Sequence, residues 1–223
     1  MGKLKNTKPF SLLFLFLASL FLNILLSYRL LNQSPYPYRV LAVLDGDTIV
    51  LDNKARIRLR HVDAPELAFC GGTEAKNFLE KLSPPKTKID IREQIIDQRG
   101  RATALIYTKK NRLINGLILE SGWGRYHSDQ TTAKETLKQK TKLAQEKFKG
   151  IFGKCVLTEP PQKDCLIKGN IDNNSPYVKR YYYLGCPQYK YAIIEADRGE
   201  SWFCTINEAG KAGYSKAKNC PIQ

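Results

Sequence analysis

Residues 45–51 read D-G-D-T-I-V-L and residues 55–66 read A-R-I-R-L-R-H-V-D-A-P-E, joined by a short D-N-K connection. Ile49 with Leu51, and Ile57 with Leu59, keep the period of two that a half-buried strand requires. Acids stand at both ends of this stretch: Asp45 and Asp47 before the first run, Asp63 and Glu66 at the close of the second. If residues 48–52 and 55–62 pair as an antiparallel hairpin, the start of one strand comes near the end of the other. Asp47 and Asp63 are then brought together, with Arg58 on the run between them.

Two carboxylates held close repel unless a cation or a proton lies between them. Hard oxygen donors suit Ca²⁺ or Mg²⁺, and the stretch offers none of the soft ligands that zinc or copper prefer. Pro65 fixes the backbone beside Asp63, which aims Asp63 and Glu66 differently. Arg58 carries a fork that matches a phosphate. A metal, a spare carboxylate and an arginine around one pocket make a site for attack on a phosphodiester. Each piece alone also reads as ordinary turn chemistry, D-G as a turn and D-A-P-E as a helix entry.

The order of the pieces carries more than any one of them. D-G-D-T, then R-x-x-x-x-D-A-P-E, then D-x-x-G-R at residues 97–101 resembles the staphylococcal nuclease (thermonuclease) family, over roughly residues 38–153. The resemblance implies Ca²⁺ held by the Asp47 and Asp63 carboxylates and the Ala64 backbone carbonyl. It implies Glu66 as general base on the attacking water, Arg58 and Arg101 neutralising the phosphate, and Asp45 supporting the metal ligands. The family often has threonine where this chain has Ala64, but only the carbonyl is asked to bind metal. It also implies an α+β fold: a five-stranded β-barrel of the oligonucleotide-binding (OB) type with about three helices. The expected activity is Ca²⁺-dependent hydrolysis of DNA, and of RNA as a second substrate. The alternative of another class is a surface nucleic-acid-binding protein that has lost catalysis. Retention of all five of Asp47, Asp63, Glu66, Arg58 and Arg101 favours the enzyme. No protein partner is expected.

A formal net charge of +15 over 223 residues favours a polyanionic partner, nucleic acid or an anionic membrane. Residues 1–33 read as a membrane anchor. Lys3, Lys5 and Lys8 precede an uncharged run, 9–28, dense in Leu and Phe, and Arg29 closes it. About 20 such residues suffice to cross a bilayer. No small-x-small cleavage site stands out, which favours an anchor over a cleaved signal peptide; cleavage would make the protein secreted. The lysines place the N-terminus in the cytoplasm and the remainder outside. Residues 34–37, with Pro35 and Pro37, read as a stiff linker.

Further along, strands are expected over 39–44, 88–94 and 102–107 and helices over 73–82, 111–121 and 133–152, with the nuclease domain spanning 38–155. Arg99 and Tyr126 are candidate substrate contacts, the latter because bases stack on aromatic rings. Trp123 reads equally as core. His61 reads as strand surface and His127 as loop surface. Neither has the partner spacing of a zinc site or a histidine-centred nuclease.

Residues 156–223 hold four of the six cysteines, and their pattern resembles a small module appended to some bacterial thermonuclease-like proteins. No C-x-x-C pair is present, so zinc is disfavoured. An even cysteine count in an extracytoplasmic protein points to disulfides. Six cysteines allow 15 pairings; we expect Cys70–Cys155, Cys165–Cys204 and Cys186–Cys220. The first ties the loop after the acids to the end of the last helix. The others staple a module too small to bury much core.

Overall fold

A computed structural model of the chain describes residues 9–31, 37–172 and 178–221. The chain divides into two units, Met1–Pro37 and Tyr38–Gln223. In the first unit, α1 runs from Pro9 to Leu31. Its side chains are described over 13–28, and the large apolar ones from Leu13 to Tyr28 are exposed. Among the described residues no helix is long and apolar enough to cross a membrane. The expected span is therefore not met there, although the helix forms. Lys3, Lys5, Lys8 and linker positions 34–36 lie outside the described residues.

The second unit opens with β1 (Tyr38–Val43), β2 (Thr48–Leu51), β3 (Arg56–Leu59) and the short β4 (Val62–Asp63), followed by α2 (Gly72–Leu82). Then come β5 (Lys88–Ile96), β6 (Ala102–Thr108) and α3 (Ile114–Ser121). The strands close into a barrel in the order β1-β2-β3-β6-β5. All ladders are antiparallel except β3 with β6, which is parallel. Val40, Ile49, Leu51, Ile57, Leu59, Ile89 and Ile106 fill the interior and are almost wholly buried. Their alternation with polar residues is the period that the opening stretch displays.

The hairpin is shorter than expected. β3 stops at Leu59 because the chain turns at Arg60 and His61, and His61 takes the left-handed φ of 64°. His61 is buried, not strand surface. Its Nδ1 faces the His127 carbonyl at 3.0 Å and its Nε2 the Thr131 hydroxyl at 2.7 Å. Arg60 follows it inward. Its guanidinium donates to Asp129 Oδ2 at 2.7 Å and to the carbonyls of Glu93 (2.7 Å) and Gln130 (2.9 Å). Asn115, fully buried on α3, closes the gap between β3 and β6. Its amide nitrogen donates to the Arg60 and Ala104 carbonyls, and its oxygen accepts from Ile106 N–H.

β7 (Arg125–Tyr126) pairs with β4. The single long helix expected over 133–152 is two helices, α4 (Lys134–Glu146) and α5 (Ile151–Lys154). The break falls where Phe148 and Gly150 adopt positive φ. Phe148 is consequently 74% exposed, while Leu137, Thr141, Ala144 and Ile151, at helical spacing, are buried. Trp123 packs partly buried between α5 and the barrel core.

The remaining elements are β8 (Val156–Leu157), β9 (Ile167–Ile171), β10 (Lys179–Tyr182), β11 (Ile194–Glu195), β12 (Ser201–Phe203), α6 (Ile206–Lys211) and β13 (Ser215–Lys216). A four-stranded sheet, β12-β9-β10-β13, carries its own cluster of Ile167, Tyr181, Tyr183 and Tyr214. Thr205 and Glu208 form a capping box at the start of α6. β8 pairs with β11, and the Ala196 N–H donates to the Cys155 carbonyl, so this region is tied to the barrel unit rather than hanging from it.

All three disulfides form with the expected pairing, Cys70–Cys155, Cys165–Cys204 and Cys186–Cys220. The first closes a loop of 85 residues. Loop-closure entropy gives a bridge of that length about 4.6 kcal/mol. Replacing Cys70 and Cys155 together by alanine is expected to lower the thermal midpoint by about 10 °C. A calorimetric midpoint within two degrees of the parent would show that the bridge contributes no stability.

Candidate active site

The first acidic turn is held tightly. Gly46 sits where an added Cβ would lie 2.5 Å from Cβ of Ala75 on α2 and 2.6 Å from Cβ of Ala64. Only glycine allows the turn, the second acidic segment and the helix to meet this closely. Ala64 has its own reason here, since it faces Gly46 across the same contact. The Asp47 N–H donates to Asp45 Oδ1 at 3.1 Å, which fixes the turn. The Asp47 carbonyl accepts from the Leu59 N–H at 2.8 Å, which registers the turn against β3.

Asp47 is 1% exposed, yet its carboxylate is fully engaged. Oδ1 accepts from the Thr48 hydroxyl at 2.9 Å, and Oδ2 from the Ala64 N–H at 2.9 Å. Arg58 reaches Asp47 Oδ1 at 2.5 Å and Asp63 Oδ1 at 2.6 Å. One guanidinium thus bridges the two carboxylates that the sequence places at opposite ends of the hairpin. Burial pushes the Asp47 carboxyl up to about 7, raised further by Asp45 and opposed by Arg58 and the Ala64 N–H. Desolvation of an anion is the cause, and a cation at this point is what relieves it.

The rest of the candidate set is placed less closely. Glu66 is exposed in the loop after the buried Pro65, and among the described residues no hydrogen bond or ion pair engages its carboxylate. Its carbonyl accepts from the Phe69 N–H, and the adjacent backbone packs against Gly72 at the start of α2, where a side chain would collide with that carbonyl. Arg101 lies just before β6, whose Thr103 pairs with Arg58 across the parallel ladder. In this structure its guanidinium turns back to Asp97 at 2.8 Å, and no contact joins it to Asp47 or Asp63. Hydrogen bonds from the Arg101 backbone and side chain hold Asp97 below the usual carboxylate range. Arg99 is exposed at the same hairpin tip. Tyr126 stacks on His61 with ring centroids 5.5 Å apart, and its hydroxyl is buried without a partner among the described residues.

One neighbour of the site is not foreseen from sequence. Arg125 pairs in register with Asp63 between β7 and β4. Its guanidinium makes a two-pronged bond to the buried Asp197, at 2.7 and 3.0 Å, and reaches Glu195 at 3.0 Å. The segment after residue 156 therefore braces the strand that pairs with the Asp63 strand. No local pattern announces a partner 72 residues away.

Whether a hard divalent cation fits can be judged from the donors. A buried carboxylate and a second carboxylate meet around a point that a guanidinium already marks as cation-seeking, with the Ala64 N–H bonded to the first of them. Among the described residues no group of three or more His, Cys, Asp or Glu side chains could hold a metal. The side-chain donors are therefore two carboxylates, leaving the other positions to backbone oxygen and water. That suits an oxygen-binding ion and not zinc.

Comparison with known proteins agrees with the geometry. The family described as staphylococcal nuclease homologue matches residues 56–154. The matched span opens at Arg56, so Asp45 and Asp47 precede it. A thermonuclease of Staphylococcus hyicus is 28% identical over 138 residues, 56% of this chain and 81% of that protein. A micrococcal nuclease of Shigella flexneri is 32% identical over 108 residues, 42% of this chain and 62% of that protein. A probable staphylococcal-like nuclease of Oryza sativa subsp. japonica is 38% identical over 85 residues, 38% of this chain and 22% of its own length. Residues 56–154 are accordingly a staphylococcal nuclease family domain, distantly related to the thermonuclease and the micrococcal nuclease.

Proposed function

We propose that the chain is a thermonuclease-like phosphodiesterase that hydrolyses nucleic acid with Ca²⁺, outside the cytoplasm. The observation that carries the reading is the single guanidinium joining a buried Asp47 to Asp63 beside the Ala64 backbone, with Arg58, Asp63 and Ala64 inside the span that matches this family and Asp47 just before it. The family is generally Ca²⁺-dependent. Asp47, Asp63 and the Ala64 carbonyl are the ligands we assign, with Asp45 fixing Asp47 from behind. Bound there, Ca²⁺ supplies positive charge to a phosphate oxygen and to the attacking water.

The protein's own groups do the rest. Arg58, whose fork spans Asp47 and Asp63 in the free protein, would be the group placed to turn to the phosphate. Glu66, unengaged by any other side chain among the described residues, accepts the proton of the water. Arg101 exchanges its solvent-exposed bond to Asp97 for the substrate, an exchange that costs little because exposed ion pairs are weak. The two arginines then meet the extra negative charge of the five-coordinate phosphorus, where electrostatics is the large term. Arg99 and Tyr126 border the nucleotide.

Hydrolysis of heat-denatured DNA by the oxidised protein is expected to require Ca²⁺ and to stop when a chelator is added. Binding of DNA without hydrolysis at any Ca²⁺ concentration would instead support a non-catalytic binding protein.

For location, three disulfides favour an oxidising compartment. The apolar α1 sequence over 9–28 supports an anchor with the N-terminus in the cytoplasm. After alkaline carbonate extraction of cells, the protein is expected in the membrane pellet. Recovery in the supernatant would exclude the anchor.

A further inference from the structure

An open cleft of about 430 Å³ lies at the other end of the barrel from the candidate active site. Arg39 at the start of β1, Lys86 and Lys88 at the start of β5, and Lys110 and Arg112 after β6 line it, with no carboxylate among the lining residues. Two tight turns build it. Lys86 adopts φ 70° and Asn111 φ 53°, which fold the turns before β5 and after β6 up against β1. The Lys86 N–H donates to the Val40 carbonyl, and the Thr108 N–H to the Arg112 carbonyl. Among the described residues no ion pair joins Arg39, Lys86, Lys88, Lys110 or Arg112 to an acid.

The cleft and the active site are joined by β5. Lys88, Asp90 and Arg92 lie on its outward face, opposite the inward Ile89. The Arg92 guanidinium lies 4.1 Å over the Tyr107 ring while bonded to Asp90 at 2.6 Å. Beyond the bulge after Arg92, the strand runs to the hairpin tip that carries Arg99 and Arg101. At about 3.3 Å per residue, β5 separates the cleft from that tip by about 30 Å. The Debye length in physiological salt is about 8 Å. The cleft cannot act on the active site through its field; it can act only on a ligand long enough to touch both.

We propose that this basic cleft is a second phosphate-binding site, which holds the backbone of the same nucleic-acid chain whose scissile bond lies at the far end of the barrel. This rests on the nuclease reading for its consequence in catalysis, but not for the binding itself. A strand following β5 meets cations at both ends; between them Arg92 is paired with Asp90 and exposed Glu93 follows, so the phosphate contacts are concentrated at the two ends. Affinity gained this way is insensitive to sequence and grows with length until the cleft is reached.

The test uses the full-length oxidised protein in detergent and the triple variant Lys86→Gln, Lys110→Gln, Arg112→Gln, all exposed positions outside the catalytic set. Affinity for fluorescent oligothymidylates of increasing length is read by anisotropy in chelator, where hydrolysis is off. The parent should gain about tenfold between a strand too short to leave the active site and one that spans the barrel. The variant should lose that gain, keep its affinity for the short strand, and show a salt slope lower by about 2, at about 0.7 per phosphate contact. Unchanged long-strand affinity and slope in the variant overturn the proposal. If the variant at the same time loses binding to phosphatidylglycerol vesicles, the cleft belongs to a lipid surface instead. A parallel hydrolysis assay with Ca²⁺ keeps the two readings apart: length-dependent binding without hydrolysis upholds the cleft and rejects the nuclease, whereas hydrolysis without it does the reverse.

Discussion

Glu66→Gln is expected to lower kcat by about 10²–10⁴-fold, the range that a positioned general base supplies. The substitution keeps the side chain's size and removes only its ability to take a proton. Glu66 is exposed and engages no other side chain among the described residues, so nothing in the fold depends on its charge. The thermal midpoint and the affinity for DNA should therefore stay at parent values while turnover collapses. The discriminating measurement is kcat at saturating Ca²⁺ and substrate, beside a melting curve of the same preparation. A kcat within a few-fold of the parent would remove Glu66 from the proton transfer and send the search to water or another carboxylate.

Arg58→Ala should cost about 10²–10³-fold in kcat, comparable to removing one preorganised donor from a developing oxyanion. Two roles are superimposed in this residue, and the structure suggests how to separate them. In the free protein Arg58 neutralises Asp47 and Asp63; in the proposed reaction it neutralises the phosphate. If the first role were its whole contribution, saturating Ca²⁺ would replace it and restore the variant to parental kcat. If the second role holds, kcat stays depressed at any Ca²⁺ concentration while Ca²⁺ binding, freed of a competing guanidinium, is not weakened. Arg58→Lys keeps the charge and loses the two-pronged fork, so it should recover only part of the rate. Full rescue of Arg58→Ala by Ca²⁺ would show that the arginine merely holds the acids together.

Much of the architecture was legible before any coordinates. Alternation marked β2, β3 and β5 to within two or three residues at their ends, because a half-buried strand cannot hide its period, whereas β6 is buried at successive residues and shows none. The even cysteine count and the compartment implied by the N-terminal apolar run pointed to disulfides without selecting among the 15 pairings, and the set we expected is the one the structure has. Asp47, Asp63 and Arg58 converge as the hairpin argument requires, although they meet through a turn at Arg60 and His61 that ends β3 early. Arg60 shows why that turn escaped notice. By alternation it belongs on the barrel surface, and its burial is tolerable only because Asp129 and two carbonyls, from far along the chain, satisfy its guanidinium.

By itself the sequence determined which segments alternate, where the acids cluster, which arginine lies between them and that the chain is strongly basic. These are properties of neighbours along the chain, and the pleat or the turn imposes them locally. Tertiary structure alone decided that Asn115 seals β3 against β6, that α4 and α5 part at Phe148, that Asp197 holds Arg125 beside Asp63, and that Arg39, Lys86, Lys88, Lys110 and Arg112 gather into one cleft. A buried polar group needs a partner, but its own sequence does not say which of many distant groups will supply it; only packing of the whole chain makes that choice.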